Sequence, residues 1–355
     1  MTFDATSLAR PAIVRMKAYQ SARSQMTTSS AQIFMDANEL AHEAQRDLAR
    51  YPDPQPSELV DFVTSRFGVT QSQLFLGAGV DDAIDALLRV FCEAGQDNIL
   101  ITPPTYGFYS VSAAIQGCGV REAPLKSESF DLDEELILKT LDKNTKLIFV
   151  CNPNNPTGNT FSRERLLQLA SAIGERALLV VDEAYIEFSS AASLVSSVGS
   201  CPNLVVLRTL SKAWGLAGVR LGAAMAGEGI INLMHKVRAP YPIARPAVAA
   251  ASSELSKLTP KVLSERTSAV AAERDRLAGR LRELDFVVRV YPSEANFILM
   301  RVKSAGDVMR RAAARGIILR DRSGEFGLAD CVRITIGTRS DNDALLEALN
   351  PEVRS

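Results

Sequence analysis

The chain has 355 residues, 40 Lys+Arg against 41 Asp+Glu, and 46% hydrophobic and 23% charged residues. That length and balance suit a soluble globular protein of about two domains, and the near-zero net charge excludes the basic field of a nucleic-acid or acidic-membrane binder. Five scattered cysteines without a C-x-x-C pair and only two histidines, His42 and His235, argue against a disulfide scaffold, a zinc site and a Ser–His–Asp triad.

In chain order, the first 24 residues carry several basic groups and a lone acid, Asp4, in the manner of a transit peptide, but they lack a signal peptide's apolar core and Pro11 breaks an amphipathic helix. They read as a structured arm of a cytoplasmic protein. "SELVDFVTSRF" (57–67) has helical spacing and stops at Gly68. "QLFLG" (73–77) is a short strand, and "DDAIDALLRVFCEAG" (81–95) is an amphipathic helix opened by two acids. "NILIT" (98–102) reads as a strand and "PTYGFYSVSAAIQG" (104–117) as a helix. "KLIFVC" (146–151), "ALLVVDE" (177–183) and "LVVLRTL" (204–210) are apolar without alternation, as strands buried on both faces are. "SRERLLQLASAIG" (162–174) is a crossover helix between the first two. The alternation predicts an α/β fold, a mostly parallel sheet between helices.

"YPIARP" (241–246) reads as a hinge. Beyond it lie an Ala-rich helical stretch (246–285), strand-like "FVVRVYP", "NFILMRV", "GIILR" and "CVRITI", and helical "AGDVMRRAAARG" and "DNDALLEAL". These predict a second, smaller α+β domain. No run approaches the roughly 18 apolar residues of a membrane span.

Ligands of parallel α/β sheets bind beyond the carboxyl ends of the strands, so the loops there carry the chemistry. "LGAGVDDAID" places Gly77 and Gly79 between a strand and a helix start, where backbone N–H groups and the helix dipole hold a phosphate. A tight turn capped by Asp81 and Asp82 accounts for the string equally well. "VCNPNNPTG" closes a strand with side-chain amides suited to an oxygen, or simply with a rigid turn. Asp182 ends a buried strand, where a carboxylate needs a cation or serves as a helix cap. Tyr185 follows it by three residues. Thr209, Ser211 and Arg220 form a hydroxyl and guanidinium phosphate site beside Lys212, whose pKa desolvation and a neighbouring cation would lower. A phosphate, a ring nitrogen needing a carboxylate, a ring oxygen needing donors and an aldehyde needing an amine describe pyridoxal 5′-phosphate.

The chain resembles the fold-type I pyridoxal-phosphate aminotransferases, and within them the histidinol-phosphate aminotransferase branch. The motifs are "AYQSAR" (18–23), "MDANE" (35–39), "RYPDPQP" (50–56), "PPTYGFYSVSA" (103–113), "CNPNNPTG" (151–158), "VDEAYIEF" (181–188), "RTLSKAWGLAGVRLG" (208–222), "APYPI" (239–243), "NFIL" (296–299), "GIILRD" (316–321) and "VRITIGT" (332–338). The resemblance implies that Lys212 is the Schiff-base lysine and proton-transfer base, and that Asp182 pairs with the pyridine nitrogen. Asn155 and Tyr185 then serve the ring oxygen, and Tyr106 stacks on the ring. The backbone of Val80 and Asp81, with Thr209, Ser211 and Arg220, holds the phosphate. Tyr51 resembles a tyrosine that reaches the neighbouring subunit's phosphate, which implies a homodimer with shared sites. Tyr19, Asn38, Arg320 and Arg333 are the substrate residues the resemblance implies, the two arginines meeting the anions of histidinol phosphate and of glutamate or 2-oxoglutarate.

The implied boundaries are an N-terminal arm over 1–44 belonging to the small domain, a large cofactor-binding domain over 45–245 and a small domain over 246–355. The implied reaction is reversible amino transfer in L-histidine biosynthesis. An aromatic amino-acid aminotransferase and a phosphothreonine decarboxylase share this scaffold, and a nucleotide-binding dehydrogenase and a non-catalytic pyridoxal-binding regulator are the readings from other classes.

Overall fold

The structure, a computed structural model, describes residues 3–19, 35–40 and 48–350. Residues 1–2, 20–34 and 41–44 of the expected arm lie outside them. Seven strands form one sheet: β1 (Leu74–Gly77), β2 (Asn98–Ile101), β3 (Gly119–Glu122), β4 (Thr145–Cys151), β5 (Leu178–Asp182), β6 (Leu204–Thr209) and β7 (Gly222–Ala226). Their order is β1-β7-β6-β5-β4-β2-β3. β3, β2, β4, β5 and β6 run parallel, while β7 is antiparallel to both β6 and β1. The continuous apolar runs are the central strands, and every residue of β5 and β6 is buried. Successive residues alternate between two cores. Ile148, Val150, Leu179 and Val181 enter one, and Leu147, Phe149, Leu178 and Val180 the other. β3, "GVRE", escapes sequence reading because it has no apolar run. It is an edge strand with all four residues exposed.

A second sheet, antiparallel, has the order β10-β11-β9-β8, from β8 (Val287–Val290), β9 (Phe297–Val302), β10 (Arg320–Asp321) and β11 (Cys331–Thr335). Helices Pro260–Arg282, Ala305–Ala313 and Arg339–Leu349 pack on it. Their caps are Thr259, Ser304 and Thr338, whose side chains accept first-turn N–H bonds. The expected fold class, a mostly parallel sheet between helices plus a smaller α+β unit, is what the chain adopts.

Ala5, Leu8, Ala9 and Ile13 bury into the core of the large sheet. Arg10 donates to Glu93 and to the Arg89 carbonyl, and Lys236 Nζ donates to the Ile13 and Val14 carbonyls. The first described residues thus sit on the large unit and not on the small one. Their apolar stripe is too short to name its partner from sequence. Likewise Val248, Ala251 and Leu255 of helix Arg245–Leu255 join the large core, and the small unit's own buried core begins at Leu277.

Candidate active site

The carboxyl ends of β4, β5 and β6 and the start of helix Val80–Phe91 open onto one cavity. It is lined by Val80, Asp81, Tyr106, Asn155, Asp182, Tyr185, Thr209, Ser211, Lys212 and Arg220, together with Cys151 and Ala184. Ten positions from five separate strings of sequence therefore meet at the place that parallel-sheet topology favours.

At one end the backbone makes room for an anion. Gly79, at φ 98°, precedes the helix, and a Cβ there would stand 2.7 Å from Arg220 Nη2. A Cβ on Gly222 would lie 2.3 Å from the Val80 nitrogen, so β7 approaches the loop only because Gly222 has no side chain. The first-turn N–H groups of Val80 and Asp81 have no partner within their helix. Arg220, itself at φ 58°, places its guanidinium 3.2 Å from Asp81 and 3.5 Å from Ser211 Oγ. Thr209 Oγ1 accepts from the Ser211 nitrogen and fixes that turn. Asp82 accepts from the Ala78 nitrogen, so an acid does cap the turn, alongside the anion cradle.

At the other end Asp182 is buried. Tyr109 Oη donates to its Oδ2 at 2.8 Å and the Ala184 nitrogen to its Oδ1 at 3.0 Å. Burial pushes the carboxyl up to about 6, against the lowering effect of those two donors. A buried carboxylate facing a cavity is relieved by a cation, and a protonated pyridine nitrogen is one. Lys212 stands at the mouth, with Nζ 5.5 Å from the Tyr185 ring centre. Partial burial and the charge of Arg333 hold its pKa below the usual lysine value, with Asp182 and Asp81 opposing. Asn155 Nδ2 lies 3.5 Å from Tyr185 Oη. Tyr106 Oη donates to Asp81, and burial raises both tyrosine pKa values. The donor set fits a phosphorylated pyridine aldehyde at each of its polar corners.

The substrate residues divide. Arg333 on β11 donates to Asn155 Oδ1 at 2.5 Å and so contacts a residue that lines the cavity. Arg320 is its register partner on β10, and direct partners of an antiparallel pair share a face. Tyr19, Asn38 and Tyr51 do not join the cavity. Tyr19 is exposed. Asn38 lines a separate groove with Glu39, Arg50, Tyr51 and Arg245, and the Tyr51 ring stacks on Tyr241 at 4.5 Å.

Several further positions of the site carry only a weak signal in the sequence. Tyr109 was signalled only as a second tyrosine one helical turn after Tyr106. Behind the cavity, Arg208 is buried between Glu183 and Glu187, at 3.3 and 2.6 Å, and Trp214 Nε1 donates to Glu187 at 2.9 Å. The signal was a charge inside the apolar run "LVVLRTL", which a buried partner must offset. Among the described residues no cluster of His, Cys, Asp or Glu suits a metal, and no helix is long and apolar enough to cross a membrane.

The aminotransferase class I and II family profile matches residues 18–349. A histidinol-phosphate aminotransferase of Flavobacterium johnsoniae is 39% identical over 350 residues, covering 98% of each chain. One from Escherichia fergusonii is 40% identical over 356 residues, covering 99% of each. The chain belongs to the histidinol-phosphate aminotransferase family. Of solved structures, the histidinol-phosphate aminotransferase of Sinorhizobium meliloti, in complex with pyridoxal 5′-phosphate, is similar at TM-score 0.77 and 27% identity, over 87% of this chain and 84% of that one. Class I and II aminotransferases are pyridoxal-phosphate enzymes, and this family member has the buried carboxylate, lysine and anion cradle that the cofactor needs.

Proposed function

We propose that the protein is a histidinol-phosphate transaminase. It moves an amino group reversibly between L-histidinol phosphate and 2-oxoglutarate, giving imidazole-acetol phosphate and L-glutamate, in L-histidine biosynthesis. The observation that carries this reading is Arg333 hydrogen-bonded to Asn155, a residue that lines the Lys212 cavity, with Arg320 as its register partner. Two guanidinium groups on one strand pair suit a phosphate in one half-reaction and a carboxylate in the other.

When bound, pyridoxal phosphate supplies an electron sink that makes the substrate's Cα proton acidic. The chain's own residues do the rest. Asp182 supplies the counter-charge at the ring nitrogen. Asn155 and Tyr185 would donate at the ring oxygen, and Tyr106 would stack on the ring. The N–H groups of Val80 and Asp81, the hydroxyls of Thr209 and Ser211, and Arg220 hold the phosphate. Lys212, its pKa lowered by partial burial and the charge of Arg333, takes the Cα proton and returns it one atom away. Tyr19 and Asn38 complete the substrate end. The acting unit is a cytoplasmic homodimer in which Tyr51 of each protomer reaches the other's phosphate. Its exposed ring, outside its own chain's cavity, is in keeping with that role.

The reading is tested by mixing the holoenzyme separately with histidinol phosphate, phenylalanine and phosphothreonine and following the cofactor's conversion to its amine form by absorbance. Histidinol phosphate is expected to convert it. Conversion by phenylalanine alone would make this an aromatic aminotransferase, and carbon dioxide release from phosphothreonine without an oxo acid would make it a decarboxylase. Lys212→Ala is expected to abolish turnover and the visible band of the lysine-bound cofactor while the far-UV circular dichroism is unchanged.

A further inference from the structure

The small unit packs on the loops that carry Asn155 and Tyr185 through the turn at residues 293–297, which leads into β9. Its Glu294 is a small-unit carboxylate that bonds only to the large unit. Oε1 accepts from Thr160 Oγ1 at 3.0 Å, and Oε2 from Ser189 Oγ at 2.6 Å, the Ser190 nitrogen at 2.9 Å and Ser190 Oγ at 3.0 Å. Thr160 ends the loop that carries Asn155, and Ser189 and Ser190 end the one that carries Tyr185. The backbone joins in. The Glu294 nitrogen donates to the Gly158 carbonyl at 2.7 Å, and a Cβ on Gly158 would stand 2.5 Å from Ser293 Oγ. The same turn leads into Phe297, whose ring meets Tyr185 edge-on at 5.1 Å and lies 5.4 Å beneath the Arg333 guanidinium. One carboxylate therefore ties both ring-oxygen loops to the strand pair that bears Arg333 and Arg320. Burial acts to raise its pKa, but the donors from Ser189, Ser190 and Thr160 outweigh that and keep it below the usual glutamate value, so it is ionised at neutral pH.

We propose that Glu294 is a positioning residue for substrate binding, which fixes Arg333 over the cavity by locking the small unit's 293–297 turn to the Asn155 and Tyr185 loops. The proposal rests on the reading of Arg333 as the substrate's anion contact. Glu294 does not line the cavity. Its removal is therefore expected to change how well the substrate is held more than how fast the bound substrate reacts.

The test uses holoenzyme carrying Glu294→Ala, Glu294→Gln or, from the other side of the contact, Ser189→Ala. In Glu294→Ala, KM for histidinol phosphate is expected to rise about tenfold with kcat within about threefold, since four donors lose a charged acceptor. Glu294→Gln retains an acceptor for Ser190 and is expected to recover most of that loss. Ser189→Ala is expected to shift KM in the same direction by less. Amide hydrogen exchange of the wild type and Glu294→Ala gives a second readout, with residues 154–160 and 184–190 expected to exchange about tenfold faster in the variant. Unchanged KM in Glu294→Ala, an equal loss in kcat and kcat/KM, or unchanged exchange in both loops overturns the proposal. If the wild type does not turn over histidinol phosphate, the substrate reading fails, and the exchange measurement alone decides whether Glu294 locks the loops.

Discussion

Asp182 shows how one residue's environment sets its chemistry. Its folded pKa, about 6, lies above the ordinary 3.8, so the cofactor-free protein holds the proton more tightly than the unfolded chain does. The sign follows from linkage. The associated stability is present below about pH 4 and is lost as the pH rises through about 6, an effect of roughly 3 kcal/mol. Cofactor-free Asp182→Asn is therefore expected to gain in melting temperature relative to the cofactor-free wild type between pH 4.5 and 7. A constant difference across that range would show that burial does not raise this carboxyl. Cofactor binding is expected to close the gap in favour of the wild type at pH 7, because a cation beside Asp182 favours its ionised form. The identity of this carboxylate was legible in the sequence, since an acid ending a buried strand has few explanations. Its partner Tyr109 was not, because a tyrosine in an amphipathic helix reads first as core.

At the scale of elements, the site exists because helix Val80–Phe91, β6 and β7 come close at one point. Gly222 is the closest approach, and its missing Cβ is the condition for it. Gly222→Ala is expected to push β7 from the Gly79–Val80 backbone, costing about 1–3 kcal/mol in urea unfolding and lowering cofactor affinity at least about tenfold. Titrating the cofactor-free variant by absorbance checks the second effect, and unchanged affinity would mean the anion cradle does not depend on this contact. Gly222 stood inside the resemblance motif "RTLSKAWGLAGVRLG", but nothing in the string says that its neighbour in space is Val80. The buried Glu183–Arg208–Glu187 set is of the same kind, since its members come from a strand end, another strand and a 3₁₀ turn that only packing joins.

For the whole molecule, a shared site makes a distinct prediction. In the proposed dimer, Tyr51→Ala and Lys212→Ala remove different protomers' contributions to one site. Refolded together, they are expected to form mixed dimers in which one site of two has both natural residues, restoring activity at about a quarter of all sites. No recovery, together with a monomer in sedimentation, would remove Tyr51 from the phosphate and the dimer from the mechanism.

The sequence by itself determined the layered α/β class, the positions of the buried strands and the ten residues around the Lys212 cavity. The strands, the glycine turn, Asp182, Thr209, Ser211, Lys212 and Arg220 are local signals, unbroken apolar runs and polar residues at strand ends, while Tyr106 and the choice of Asn155 among the loop's asparagines came with the family resemblance. Only the tertiary structure decided the rest. It put residues 3–16 and the Arg245–Leu255 helix on the large unit, left Tyr19, Asn38 and Tyr51 outside this chain's own cavity, and brought Arg333 onto Asn155 across 178 positions. Such pairings depend on which surfaces fit after collapse, and a short apolar stripe or a lone arginine does not encode its partner in its neighbours.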